Sequence, residues 1–265
     1  MTINDTFAWK ETAGGRALVC VPLEPYASHL FTTRRWQLGK AGDTDRASAW
    51  SELARAMAVD AGHLVRAHQV HGATMITRRE GDPLPADGEA LPDADILISD
   101  DPALALAIQT ADCVPLLIAD RLTGAVAAAH AGWRGLAAGV PGLTVAALGR
   151  AFGCAPASLV AAIGPSISAE RYEVGDEVRA RFREGGFSEA AIARWFLTGA
   201  RQDHWQFDGW RAAQDQLEAA GLASEHIHVA ALCTAEDADL FCSYRRDGKA
   251  AGRIAAAIRR SHARA

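Results

Sequence analysis

The chain has 265 residues, 49% of them hydrophobic and 22% charged, enough apolar content to bury a sizeable core. Its 27 Lys and Arg face 32 Asp and Glu, a formal net charge of −5 with both signs scattered, which argues against nucleic-acid or membrane-surface binding because each needs a basic face. The five cysteines are odd in number, widely spaced and lack a CxxC pair, which argues against a disulfide framework and for a reducing cytoplasm.

The N-terminal stretch MTINDTFAWKETAGG is polar, with no basic segment leading into an apolar run, and nowhere do 18 apolar residues follow one another. Neither export nor membrane insertion is expected. Apolar runs of strand length then recur: ALVCVPL near residue 20, LVRAHQV at 64–70, ATMITR at 73–78, ADILIS at 94–99, LALAIQ at 104–109, VPLLIAD at 114–120 and GAVAAAHAG at 124–132. Further runs follow as LVAAIGP at 159–165, IHVAAL at 227–232 and GRIAAAIRR at 252–260. Helical periodicity marks 45–59, 142–153, 173–184 and 208–221.

These elements predict a mixed α/β fold. Strands cluster consecutively, and the short ADRLTG link between two of them reads as a hairpin, so a mixed or antiparallel sheet fits better than regular βαβ alternation. The Pro-, Gly- and Asp-rich segment 80–95 is the clearest loop. Because the strands on either side read as parts of one sheet, a single domain over 1–265 is expected.

Three segments carry candidate chemistry. Cys113 lies in a turn between apolar strands next to Asp112; it reads either as a small buried hydrophobe or as a metal ligand. His130 closes the following strand before AGWRG, where two glycines bracket Trp133 and Arg134 ahead of a helix, a junction that lets the backbone approach a ligand closely. In HQVHG, His68 and His71 are three apart and would point to opposite faces of a strand. His71, beside the turn glycine, has the geometry of a loop ligand.

Two imidazoles and one thiolate suit zinc, and three protein ligands leave one position open, the pattern of a catalytic site. The gaps of 42 and 17 residues between these ligands match no zinc-finger spacing. Arg134, Arg245 and Arg246 are candidate anion binders, although Arg246 beside Asp247 also reads as a solvated surface charge. Asp112 either caps its turn or orients a ligand. Tyr172 and Tyr244 either stack on a base or are half-buried with their hydroxyls satisfied, and Cys233 is core or site lining.

The motifs QVHG, TADCVPLLIAD, HAGWRG, IGPSI with YEVGDEV, then CT, FCSYRRDG and GR, over roughly 64–256, with a weaker FTTR at 31–34, resemble in content and order the YfiH-like family. That family is also named polyphenol oxidoreductase laccase-like, purine nucleoside phosphorylase-like and peptidoglycan editing factor. The resemblance implies a mixed β sandwich flanked by helices, related to a cysteine-hydrolase-like fold, with zinc held by His71, Cys113 and His130. It implies phosphorolysis of adenosine, inosine and methylthioadenosine and deamination of adenosine, with nucleoside and phosphate as partners. Two other activities attach to the resemblance: copper-dependent polyphenol oxidation, and amide hydrolysis releasing serine from a UDP-linked muramyl precursor.

A multicopper centre needs many histidines, and only nine are present, of which His68, His71 and His130 fall in matching motifs. Zinc is therefore expected over copper. The candidate catalytic set is His71, Asp112, Cys113, His130 and Arg134, with Tyr172, Tyr244, Arg245 and Arg246 as candidate substrate contacts. The chain departs from the family pattern after FTTR, where RWQLGKAGDTD leads almost directly into RASAWSEL, and His68 stands where Asn is often found. The shortened segment bears on substrate range and motivates a further alternative, a non-catalytic binding module with a structural metal.

Overall fold

The structure is a computed structural model that describes residues 2–39, 47–84, 89–199 and 201–261. In chain order the strands are β1 (Thr2–Asn4), β2 (Phe7–Thr12), β3 (Gly15–Cys20), β4 (Ala27–Thr32), β5 (Leu64–Val65), β6 (Met75–Arg78), β7 (Ile96–Ser99), β8 (Ala105–Thr110), β9 (Val114–Asp120), β10 (Val126–Ala131), β11 (Leu159–Ile163), β12 (Glu173–Gly175), β13 (Phe196–Thr198), β14 (His204–Phe207), β15 (Ile227–Val229) and β16 (Ile254–Arg260). The helices are α1 (Ala47–Ala56), α2 (Trp133–Ala137), α3 (Val140–Phe152), α4 (Asp176–Glu184), α5 (Glu189–Trp195), α6 (Gly209–Ala219) and α7 (Tyr244–Asp247).

Two large sheets form the centre. One runs β1-β2-β3-β4-β16-β8-β5 and the other β15-β11-β9-β10-β7-β6, while β12-β14-β13 make a small third sheet. Strand alternation explains why the central strands read as unbroken apolar runs. Leu106 and Ile108 of β8, with Ala256 and Ile258 of β16, meet Leu117 and Ala119 of β9 and Val126 and Ala128 of β10 between the sheets. The alternate residues face outward into two further layers. Ala105, Ala107, Ala255 and Ala257 pack against Trp50 and Leu53 of α1. Leu116, Ile118, Ala127 and Ala129 pack against Val145 and Leu148 of α3 and Leu217 of α6. Each fully buried Leu or Ile adds roughly 1.5–3 kcal/mol of transfer free energy, so a sheet covered on both faces supplies most of the driving force.

The hairpin expected at ADRLTG is present, with β10 antiparallel to β9 from Val126↔Ala119 to Ala131↔Val114. The periodicity at 142–153 corresponds to α3. Two expectations are corrected. The run 64–70 is a strand only over Leu64–Val65, because the chain leaves the sheet there to form the His71 loop. Of the span 173–184, Glu173–Gly175 is strand and the helix begins at Asp176. Residues 40–46, which include most of the shortened segment, and 85–88 of the Pro-rich loop lie outside the described residues.

The topology puts candidate chemistry where the chain changes sheets. β5 and β8 belong to one large sheet, β6 and β9 to the other. The connections 66–74 and 111–113 are therefore crossings between sheets, and they carry His71 and Cys113. His130 stands at the end of β10, one residue from the Ala131↔Val114 pair.

Candidate metal centre

His71, Cys113 and His130 come together. One ligand atom from each lies within 4.8 Å of the others, with His71 exposed, Cys113 half-buried and His130 buried. The two imidazole rings meet edge to face, centroids 4.8 Å apart and planes at 82°. His68, by contrast, is turned to the surface, where its Nδ1 lies 2.8 Å from Asp93 Oδ1.

A carboxylate absent from the sequence reading organises this group. Asp95 has no exposed surface, and its Oδ1 lies 2.8 Å from His130 Nδ1. The same carboxylate accepts hydrogen bonds from the backbone N–H groups of Val70 (3.3 Å), His71 (3.1 Å) and Gly72 (2.7 Å). It thus holds His71 at φ 61°, a left-handed conformation costing an L-residue roughly 1–2 kcal/mol, and it fixes the His130 ring through Nδ1, which leaves Nε2 as the nitrogen that would ligate. Burial pushes the Asp95 carboxyl up, but the His130 contact and the Gly72 and His71 amides outweigh it and hold it below the ordinary carboxylate value.

Cys113 and His130 titrate as a pair. Burial alone would raise the Cys113 thiol, but the His130 charge and hydrogen bonds from both imidazoles bring it down. Burial would lower His130, but the Cys113 charge and Asp95 push it up. A thiolate is the form that ligates a metal.

The residues fit a three-ligand metal site on further grounds. The donor atoms lie within 4.8 Å of one another, a little wider than tetrahedral coordination with bonds of about 2.0–2.3 Å requires, so a small inward turn of the side chains would close them on one ion. Gly132, the residue before α2, leaves room beside two of the donors: a Cβ there would stand 2.9 Å from Cys113 Sγ and 3.3 Å from His71 Cδ2.

The group lies in the wall of a cleft of about 560 Å³ that is also lined by Ala67, Gln69, Gln109, Thr110, Trp133, Arg134, Tyr172, Tyr244, Arg245 and Arg253. Arg134 stacks 4.1 Å over Trp133, and Arg245 5.1 Å over Tyr172. Burial, the first cause, and the Cys113 charge push the Tyr172 phenol up, so it stays protonated. Tyr244 is 52% exposed at the cleft.

Two sequence expectations are corrected. Among the described residues, the side-chain hydrogen bonds of Asp112 go to neither imidazole. Its carboxylate accepts from Thr234 Oγ1 (2.7 Å) and Arg245 N (2.6 Å), which tethers the Cys113 turn, strained at Asp112 φ 90°, to the C-terminal segment. Arg246 does not line the cleft. Its guanidinium donates to both Asp247 carboxylate oxygens and to the carbonyls of Thr234 and Phe241, each at 2.8–2.9 Å, so it is a clamp inside the loop rather than an anion binder.

Residues 39–261 match the model of the family described as multi-copper polyphenol oxidoreductase laccase. The chain belongs to this family. Among its relatives, a purine nucleoside phosphorylase of Deinococcus radiodurans is 35% identical over 259 residues, covering 93% of this chain and 94% of that protein. A purine nucleoside phosphorylase of Bacteroides thetaiotaomicron is 41% identical over 171 residues, covering 64% of this chain and 62% of that protein, just short of two thirds of its length. YlmD from Geobacillus stearothermophilus superposes with a TM-score of 0.83 at 30% identity, covering 96% of this chain and 99% of that one. The Bacillus licheniformis protein YfiH gives 0.82 at 26% identity, covering 95% and 98%. The YfiH-like fold anticipated from the motifs is thereby shown. No helix among the described residues is long and apolar enough to cross a membrane.

Proposed function

We propose that this family member is a zinc-dependent purine nucleoside phosphorylase that also deaminates adenosine, working in the cytoplasm as a single domain. One observation carries the reading: a cysteine sulfur and two imidazoles converge in a cleft whose other walls present guanidinium groups and aromatic rings together. Relatives named purine nucleoside phosphorylase support it.

The donor set favours zinc over copper. A His2Cys set with an axial methionine would suit an electron-transfer copper, but neither Met57 nor Met75 lines the cleft. Among the described residues no second group of three His, Cys, Asp or Glu gathers to hold further ions. His71 and His130 would bind zinc through imidazole nitrogen and Cys113 through sulfur, and the ion would supply Lewis acidity at an open position.

The chain's own groups account for the rest of the chemistry. Phosphorolysis joins a phosphate oxygen to C1′ of the nucleoside as the bond from C1′ to the purine nitrogen breaks, giving free base and ribose 1-phosphate. Arg134 and Arg245, each stacked on a ring, would hold the phosphate, since guanidinium matches its oxygens in pairs. Trp133, Tyr172 and Tyr244 offer faces for the purine. Asp95 acts at one remove by fixing His130 and the His71 loop.

The test is incubation of the zinc-loaded protein with inosine or adenosine and inorganic phosphate. Release of hypoxanthine or adenine that depends on phosphate, with inosine formed from adenosine, is the expected result. No conversion by protein of verified zinc content overturns the reading.

A further inference from the structure

The glutamine of the QVHG stretch has no part in the reading above, yet its side chain makes two hydrogen bonds to the backbone of one residue. Gln69 Nε2 donates to Gln109 O (2.8 Å), and Gln109 N donates to Gln69 Oε1 (2.7 Å). The place of this contact explains its form. β5 pairs with β8 only at Leu64↔Ala105 and Val65↔Leu106, whereas β8 runs on to Thr110. Where β5 has left the sheet, the Gln69 amide supplies the donor and the acceptor that a neighbouring strand would otherwise present.

The contact joins two segments that each carry a candidate ligand. Gln69 stands two residues before His71, in the crossing 66–74. Gln109 is four residues before Cys113, close to the end of β8, where the crossing 111–113 begins. Asp95 relates His71 to His130, but among the described residues the hydrogen bonds of its carboxylate do not reach the segment that carries Cys113. Gln69 makes that second link.

Core packing does not hold this loop. No residue from His68 to Gly72 is buried, and Val70 is 43% exposed, so little apolar area keeps His71 in place. The loop rests on polar contacts, the Asp95 carboxylate against its backbone and the Gln69 amide against β8. The left-handed backbone of His71 is a conformation that persists only where its surroundings fix it. Loss of the amide should therefore displace His71 more than it lowers stability. Resting on the metal-site reading, we propose that Gln69 is a positioning residue that sets the separation of His71 from Cys113 and so completes the three-ligand geometry.

The experiment loads the full-length protein with zinc or with cobalt(II), as wild type, Gln69→Met and Leu148→Ala. Met keeps the length of the side chain and removes both hydrogen bonds. Leu148→Ala opens a cavity at a buried position of α3 and is the control for stability alone. Zinc affinity, measured by chelator competition, is expected to fall about tenfold or more in Gln69→Met, as it does when groups behind a metal ligand are changed. Cobalt supplies the spectroscopic signature: the thiolate-to-cobalt absorption from Cys113 should persist in Gln69→Met, while the visible d–d bands weaken as the tetrahedral set loosens at His71. Leu148→Ala should melt at a lower temperature with affinity and bands like wild type. Wild-type affinity and bands in Gln69→Met, whatever its melting temperature, overturn the positioning role and leave the metal site standing, as does an equal change in Leu148→Ala. If Gln69→Met does not fold, Gln69→Glu, which still accepts from Gln109 N but cannot donate to Gln109 O, is read by the same criteria. Wild-type protein that binds neither zinc nor cobalt overturns the metal reading and this inference with it.

Discussion

Asp95 and His130 are both buried, with Oδ1 and Nδ1 2.8 Å apart, and the same carboxylate receives the amides of His71 and Gly72. Two of the three candidate ligands are thus positioned by one side chain. Asp95→Asn keeps the shape but removes the charge and sets an amide N–H against backbone donors. Zinc affinity, measured by competition with a chromogenic chelator, should fall about 10–100-fold, the usual loss when such a partner is changed. Affinity within a factor of two of wild type would show that the carboxylate only stabilises the fold.

Gly132 supplies a steric test of the same group. Its φ of −66° and ψ of 171° are open to any residue, so Gly132→Ala carries no backbone strain. The added Cβ would meet Cys113 Sγ at 2.9 Å, too close without displacement of the sulfur. Overpacking of this kind costs about 1–3 kcal/mol, so zinc affinity should drop about tenfold or more. Gly62→Ala, where a Cβ would meet nothing within 4 Å, is the control and should bind zinc like wild type.

The neighbouring arginines Arg245 and Arg246 separate by role, and Arg134 joins the first of them. Arg134→Ala should raise KM for phosphate about tenfold, because a charge-assisted contact to an anion is lost, with little change in melting temperature. Arg246→Ala should lower stability by about 2 kcal/mol through the carbonyls and the Asp247 carboxylate it leaves unpaired. Steady-state kinetics in phosphate together with urea unfolding distinguish the two, and a reversed pattern would contradict the assignment.

A pH effect on stability comes from His29, far in sequence from the ligands. Its ring is buried, with Nε2 accepting from Cys20 N (2.8 Å) and Nδ1 donating to Ala27 O (3.0 Å), so the neutral tautomer is the one that fits. Burial pushes its pKa down to about 4, below the unfolded value near 6.5. The folded state therefore binds fewer protons in this window, and the stability contribution is complete above about pH 6.5 and lost as pH falls toward 4. Urea unfolding should show a loss of about 2 kcal/mol between pH 7 and pH 5 from this group. In His29→Gln that part of the slope should vanish; an identical slope would place the effect elsewhere.

Much of this arrangement was legible in the residues. Apolar runs on both sides of a short polar link gave the β9–β10 hairpin, and glycine- and turn-rich contexts singled out His71, Cys113 and His130. Asp95 was not legible, because it lies 24 residues from His71 and 35 from His130 and reads locally as an ordinary turn aspartate before β7. Its distinguishing feature, a carboxylate directly ahead of a fully buried strand, was present in DADILIS without naming its partner. Arg245 and Arg246 are adjacent in sequence, yet the short helix α7 turns one to the cleft and the other into the loop, a difference of direction that composition does not encode. The strand Phe7–Thr12 escaped notice because Lys10, Glu11 and Thr12 leave it without an apolar run of strand length.

The most direct test is the metal content of protein purified without added metal, measured by elemental analysis for wild type and for Cys113→Ser. Wild type should carry about one equivalent of zinc, as a three-ligand protein site implies, and the variant should retain little of it. Several equivalents of copper in wild type, or zinc undiminished in Cys113→Ser, would contradict the convergence of His71, Cys113 and His130 on a single ion.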